Sequence, residues 1–175
     1  MSDLRQFQFQ PAKMMVPVDF SSSSESALSA ARGLAHHFQS EIFLLHVVPA
    51  LPDLICAPYF SEERVVHQMK EQAEVRLTTR VAELTRVGLR VSAAVEVGND
   101  VAGHILQAAR REHVDLLVLS THGMSGWRPV VFGSIAEKVM KLAECPVLLL
   151  RSLELGNEWL PAGDAHTSQT VPALA

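Results

Sequence analysis

The chain has 175 residues, 48% of them hydrophobic, which suits one domain with a full-sized core and excludes a disordered chain. A formal charge of −4, with no Lys/Arg cluster, argues against nucleic acid as a partner. Cys56 and Cys145 lack CxxC spacing, no signal peptide is visible and no apolar stretch reaches the roughly 20 residues of a membrane span, so a cytoplasmic protein with reduced thiols is expected.

Met1–Ala12 is polar at first and reads as a flexible N-terminus. Met14–Val18 is a short apolar run, read as a buried strand that ends at Asp19. Ser22 and Glu25 have capping-box spacing. Ala27, Leu28, Ala31, Leu34, Ala35 and Phe38 follow at helical spacing. His36 and His37 fall near the end of that helix, where a cation favours the dipole. Ile42–Val48 predicts the second buried strand. Pro49, Pro52 and Pro58 make the next segment an irregular loop. Ser61 can cap a long helix with Val66, Met69, Ala73, Leu77 and Leu84 on its apolar side, and Gly88 sits at its C-terminal cap. Leu89–Val97 alternates loosely and predicts a third strand. Asn99 or Asp100 caps a helix with Val101, Ile105, Ala108 and Ala109 inward. Leu116–Leu119 predicts the fourth strand. After a glycine-rich loop, a helix runs from about Ile135 to Leu142; Cys145-Pro146 stops it, and Pro146–Leu150 predicts the fifth strand. Ser152–Ala175 is rich in breakers and reads as a mostly disordered tail, with Trp159-Leu160 as a docking point.

Strands that are apolar throughout and alternate with helices predict an α/β fold. The expected architecture is an open five-stranded parallel sheet, order 3-2-1-4-5, with helices on both faces. Ligands bind such sheets at the carboxyl ends of the strands, where the strand order reverses. That switch falls between strands one and four. Pro17-Val18-Asp19 ends the first, and Ser120 with the glycine loop ends the fourth.

The loop runs from Ser120 to Glu137 and spaces Gly123 nine residues from Gly133-Ser134. It is neither a Walker A loop, since no GK[ST] follows, nor a GxGxxG fingerprint. The backbone N–H groups of Gly133, Ser134 and Ile135 would face an anion at a helix start, with the Ser134 hydroxyl as a further donor. His122, beside Gly123, is placed for a phosphate contact or a structural hydrogen bond. The same residues also allow a plain capped helix, because Ser134 and Glu137 have capping-box spacing. Spacing alone divides evenly between these readings. Asp19 is similarly open: it either ends the strand together with Ser21–Ser24 or accepts from an adenine amine or a ribose hydroxyl. His46 reads as a satisfied buried histidine, and no HExxH-like spacing marks a metal site. Met14, Met15 and Met69 read as core, and Trp127 and Phe132 as loop packing or a subunit contact.

The ordered set Val16-Pro17-Val18-Asp19-Phe20-Ser21, Leu44-Leu45-His46-Val47, Ser120-Thr121-His122-Gly123 through Gly133-Ser134, and Cys145-Pro146-Val147 resembles the universal stress protein family over about Lys13–Arg151. The resemblance implies an adenine nucleotide α-hydrolase-like, Rossmann-like fold, a homodimer, and ATP binding in one branch of the family. Carried over by position, Asp19 and the backbone of Val47 would meet the adenine. Pro17, Val18, Leu119 and Ser120 would line the base and ribose. His122, Gly123, Gly133, Ser134 and Ile135 would surround the phosphates. The implied ligand is ATP, or ADP or AMP, with any Mg2+ held by the phosphates. The implied dimer pairs through Val147–Leu150, which would cover an edge strand.

Two residues depart from the family pattern. Ser120 stands where the binding signature has its first glycine, and Ala136 where many binders carry a hydroxyl. The expected function is an ATP-binding dimeric regulator in a stress response. The alternatives are a nucleotide-free module that docks a protein partner on residues 49–60 or the tail, and a slow ATP hydrolase. Enzyme-like turnover needs a positioned base or a metal-holding carboxylate. The loop offers only His122 before Glu137, so little or no hydrolysis is expected.

Overall fold

A computed structural model of the chain describes residues 9–50, 62–121 and 133–151. In chain order the elements are β1 (Lys13–Pro17), α1 (Ser22–Phe38), β2 (Glu41–Val48), α2 (Glu62–Arg86), β3 (Arg90–Val97), α3 (Val101–Arg111), β4 (Leu116–Ser120), α4 (Ser134–Leu142) and β5 (Val147–Leu150). The strands form one parallel sheet in the order β3-β2-β1-β4-β5, as the strand–helix alternation predicts. Residues 1–8 and 152–175, the Ser61 cap and Cys56 lie outside the described residues.

Successive strand residues point to opposite faces, and here both faces are apolar. Met14 and Val16 of β1 join Ile42, Leu44, Leu116 and Val118 in one core. Met15 joins Phe43, Leu45, Leu117 and Leu119 in the other. The first core is closed by Ala27, Leu28, Ala31 and Ala35 of α1 and by Leu77 and Leu84 of α2. The second is closed by Ala102, Ile105, Leu106, Ala108 and Ala109 of α3 and by Ala136 and Val139 of α4. A sheet buried on both sides is the usual setting for all-parallel strands.

The helix ends follow from local chemistry. At α1 the N-cap is Ser21, one residue earlier than the capping-box spacing predicts; its side chain accepts from the Ser24 N–H at 3.2 Å. The Asp19 carboxylate selects it, because Oδ1 accepts from the Ser21 N–H at 3.0 Å and from its hydroxyl at 2.5 Å. Glu25 therefore does not cap; it pairs with Arg80 of α2 at 2.6 Å. At α3 the N-cap is Asp100, which accepts from the Gly103 N–H at 3.0 Å. Both Asp100 oxygens also meet the Lys138 ammonium at 2.9 Å, tying the start of α3 to α4. Hydrogen bonds from Lys138 and from the Gly103 backbone hold the Asp100 carboxyl below its ordinary pKa.

α2 closes as a Schellman motif. The Gly88 N–H reaches the Thr85 carbonyl at 2.9 Å and the Leu89 N–H reaches Leu84 at 3.2 Å, with Gly88 at φ 85°. Its Cβ position is open, so the only obstacle to a side chain is the left-handed backbone. Gly88→Ala is expected to cost about 1 kcal/mol, seen as a lower urea midpoint at unchanged slope.

Next to the β3 edge, Glu96 accepts from His104 Nδ1–H at 2.6 Å and from Arg111 at 2.8 Å. The His104 ring lies so close to Gly98 that a Cβ there would come within 2.1 Å of Nε2. Burial pushes the Glu96 carboxyl up, but the hydrogen bonds from His104 and Arg111 outweigh it, and it titrates below its ordinary 4.5. A depressed folded-state pKa means the stabilisation is present above pH 4.5 and is lost as pH falls through the depressed value. Glu96→Gln should therefore be less stable than wild type at pH 7 and lose less on acidification. Parallel stability–pH curves below pH 5 would show that the pairing contributes nothing.

Candidate functional site

β1 and β4 are the neighbours at which the order of winding reverses. Their ladder covers Met14–Leu116 and Met15–Leu117. Beyond it, β1 continues beside β2 to Pro17–Leu45, and β4 continues beside β5 to Ser120–Leu150. Each strand keeps to its outer neighbour past that point, and the carboxyl ends of such neighbouring strands are where open parallel sheets place their ligand crevice. Pro17, Val18 and Asp19 form one bank, and Leu119 and Ser120 the other. Val47 lies on β2 behind the first bank, two residues past the Leu45 carbonyl that accepts from the Val18 N–H at 2.8 Å.

On the first bank Val18 is buried and Asp19 is half-buried, its carboxylate turned back on Ser21 as described. His46 lies two residues before the end of β2, and its Nδ1–H donates to the Val18 carbonyl at 2.7 Å. It is hydrogen-bonded as the sequence suggests, but half-buried instead of buried. Between Asp19 and Ser21, Phe20 sits at φ 61°, a left-handed backbone that bulky residues avoid.

On the second bank Thr121 is buried. Its N–H donates to the Leu150 carbonyl at 2.9 Å, and its own carbonyl accepts from the Gly133 N–H at 2.8 Å. The two ends of the glycine loop are thus pinned together. Ser120 belongs to β4 and is not among the residues of positive φ. A serine in place of the signature glycine is therefore unstrained here. Ala136, the second departure, is 4% exposed and packs in the core shared with α3, so its small side chain serves packing.

The capping-box reading of Ser134 and Glu137 does not hold. The N-cap of α4 is Gly133, at φ −58° and ψ 144°, and no side chain among the described residues caps the helix. Ser134 is the first helical residue, exposed, and its hydroxyl makes no hydrogen bond among the described residues. Glu137 instead accepts from the Lys141 ammonium at 2.6 Å, which holds its carboxyl below the ordinary range. The Gly133 N–H, expected to face an anion, is spent on Thr121, and the N–H groups of Ser134, Ile135 and Ala136 meet no partner among the described residues at the positive end of the α4 dipole. Such an end suits an anion. At Gly133 a Cβ would come within 3.1 Å of the Thr121 oxygen, a tight approach that a shift of a few tenths of an ångström between the two loop ends would relieve.

His122 and Gly123, with Trp127 and Phe132, lie outside the described residues. The other predicted site residues, Pro17, Val18, Asp19, Val47, Leu119, Ser120, Gly133, Ser134 and Ile135, fall at the carboxyl end of the sheet or at the start of α4. A separate cleft of about 320 Å³ between α1 and α2, lined by Leu28, Arg32, Arg80 and Leu84, holds none of them. Among the described residues no group of His, Cys, Asp and Glu could hold a metal ion, and no helix is long and apolar enough to cross a membrane. Two site features carry no sequence signal. One is the Thr121 carbonyl, whose role does not depend on its side chain. The other is the Phe20 backbone, which runs against the preference of its own residue type.

Residues 12–151 match the universal stress protein family. The chain belongs to that family. It is similar to universal stress protein YxiE of Bacillus subtilis, 29% identical over 146 residues, which covers 79% of this chain and 98% of the relative. It is equally similar to universal stress protein MJ0531 of Methanocaldococcus jannaschii, 29% identical over 139 residues, covering 79% of this chain and 81% of the relative. Among solved structures it resembles MJ0577 of the same archaeon with a TM-score of 0.72 at 27% identity, covering 82% of this chain and 98% of that one. Universal stress protein UspA from Lactobacillus plantarum shares the fold at a TM-score of 0.69 and 21% identity, covering 80% and 97%. The universal stress protein match ends at Arg151, next to the last strand β5.

Proposed function

We propose that this universal stress protein binds an adenine nucleotide, ATP or its ADP and AMP relatives, in the crevice between β1 and β4. It acts as a dimeric regulator in a stress response with little or no turnover. The observation that carries this reading is the start of α4, uncapped among the described residues and tied to the end of β4, the strand that neighbours the one ending at Asp19. The N–H groups of Ser134, Ile135 and Ala136, with the Ser134 hydroxyl, would take the phosphates, and His122 and Gly123 would close over them. Asp19 and the Val47 backbone would meet the base, and Pro17, Val18, Leu119 and Ser120 would line it and the ribose. Any Mg2+ would be held by phosphate oxygens. A universal stress protein of the same fold, 19% identical with a TM-score of 0.54, was solved in complex with cAMP, itself an adenine nucleotide. Slow turnover fits the commitment of Glu137, the acid in the first turn of α4, to Lys141.

The dimer would form through β5. Val147–Leu150 are only half-buried on the sheet edge, and Met140 and Leu142 on the preceding helix are 42% and 52% exposed. Pairing two copies would cover these apolar groups and the free strand edge.

Thermal unfolding with and without nucleotide tests the binding. A ligand at a hundredfold its Kd adds about 2.7 kcal/mol of stability. No shift with ATP, ADP or AMP, together with no nucleotide released from the denatured purified protein, would overturn the reading in favour of a nucleotide-free interaction module.

A further inference from the structure

We propose that Arg76, Phe20 and His46 form a stack that positions Asp19, making Arg76 and Phe20 positioning residues for recognition of the base. The inference rests on the nucleotide reading above. It starts from Phe20, whose φ of 61° is an unfavourable backbone for a bulky residue. A conformation of that kind persists only where its surroundings over-determine it, and it is common at ligand clamps.

Two contacts hold it. The Arg76 guanidinium carbon lies 3.7 Å from the Phe20 ring centroid. The His46 ring lies 4.6 Å away on a 37° tilt. Arg76 comes from α2 and is exposed, yet it pairs with no carboxylate among the described residues. Its guanidinium is given over to the ring, an attraction that needs the face-on approach seen here.

The stack grips the chain on both sides of Asp19. His46 donates from Nδ1 to the Val18 carbonyl at 2.7 Å, fixing the residue before it. The Arg76–Phe20–His46 contacts fix the residue after it. Asp19 Oδ1 is then held by the Ser21 N–H and hydroxyl at 3.0 and 2.5 Å. Relaxation of Phe20 to negative φ would re-aim Asp19 and Ser21 together. A carboxylate already set in one orientation loses less freedom when a ligand arrives. Arg76 thereby links α2, which otherwise packs on the outside of the sheet, to the bank of the crevice.

The test compares wild type with Arg76→Met, Arg76→Lys and Phe20→Leu. Three quantities are read: affinity for ATP, affinity for inorganic triphosphate, and hydrogen exchange of the Ser21 amide in the ligand-free protein. Arg76→Met and Phe20→Leu should weaken ATP about fivefold, the scale of one cation–π contact. They should leave inorganic triphosphate unchanged, because α4 is untouched. The Ser21 amide should exchange about fivefold faster. Arg76→Lys should recover most of both effects. Equal losses for ATP and triphosphate, or unchanged ATP affinity in both Arg76→Met and Phe20→Leu, would overturn the proposal. If wild type binds no adenine nucleotide, the functional reading fails on its own. The hold on Asp19 is then decided by Ser21 exchange: acceleration in Arg76→Met sustains it, and unchanged exchange sinks it.

Discussion

Gly133→Asp is expected to abolish nucleotide binding and leave the protein folded. Gly133 is the N-cap of α4 at φ −58° and ψ 144°, an extended backbone that aspartate adopts readily at this position. Its Cβ would approach the Thr121 oxygen to 3.1 Å, which a shift of a few tenths of an ångström relieves. In exchange the new carboxylate caps the helix, so stability should change by less than about 1 kcal/mol. The ligand fares differently. The carboxylate would take the same N–H groups that the phosphates need. It would also place a negative charge about 5 Å from each phosphate charge, a repulsion of about 3 kcal/mol at an effective dielectric of about 20. Affinity for ATP should fall more than a hundredfold while the melting temperature of the free protein stays near wild type. Wild-type ATP affinity in this variant would show that the phosphates do not sit at α4.

The second large effect concerns the fold alone. Leu44 is fully buried in β2, between Val16 of β1 and Ala93 of β3, and packs in the core under α1 and α2. Leu44→Ala removes buried methyl groups from a site where strands on both sides hold the backbone in place. Little collapse is available, so the cost should fall in the upper part of the range for such changes, about 3–4 kcal/mol. Against a total of about 5–15 kcal/mol for an ordinary domain, that is a large share. Val75→Ala, at a residue of α2 that is 67% exposed, is the control and should cost under about 0.5 kcal/mol. Urea unfolding measures both. A similar loss at the two positions would mean the burial described for β2 is wrong.

The strands and their order were legible because both parities are apolar. Met14 and Met15, or Leu116 and Leu117, serve opposite cores, and only a sheet covered on both faces accepts that pattern. Strand positions shifted by a residue at their ends, as with β1 at Lys13–Pro17 instead of Met14–Val18. Helix starts were harder. Ser21, Ser22, Ser23 and Ser24 are chemically equivalent caps in the sequence, and only the hydrogen bonds that Ser21 donates to Asp19 single it out. At α4 the cap is a glycine, which has no side chain to announce itself, so Ser134 took its place in the pattern. At α3 the sequence leaves Asn99 and Asp100 as alternative caps, and the structure places the cap at Asp100, which also pairs with Lys138.

The candidate site was legible in its placement and less so in its mechanics. The switch point follows from strand order, and Asp19 and Gly133 follow from where those strands end. The contact of Arg76 with Phe20 joins distant parts of the chain and leaves no periodic trace in either helix or strand. Nor can a residue type reveal that its backbone is held against preference, as at Phe20.

The hydrogen bond from Gly133 to the Thr121 carbonyl, at 2.8 Å, works as a clasp. It sets the spacing of the residue that follows β4 and the residue that caps α4. Lengthening a closed segment is cheap in entropy, about 0.6 kcal/mol for each doubling. Residues can therefore be inserted or removed within that segment while α4 keeps its aim.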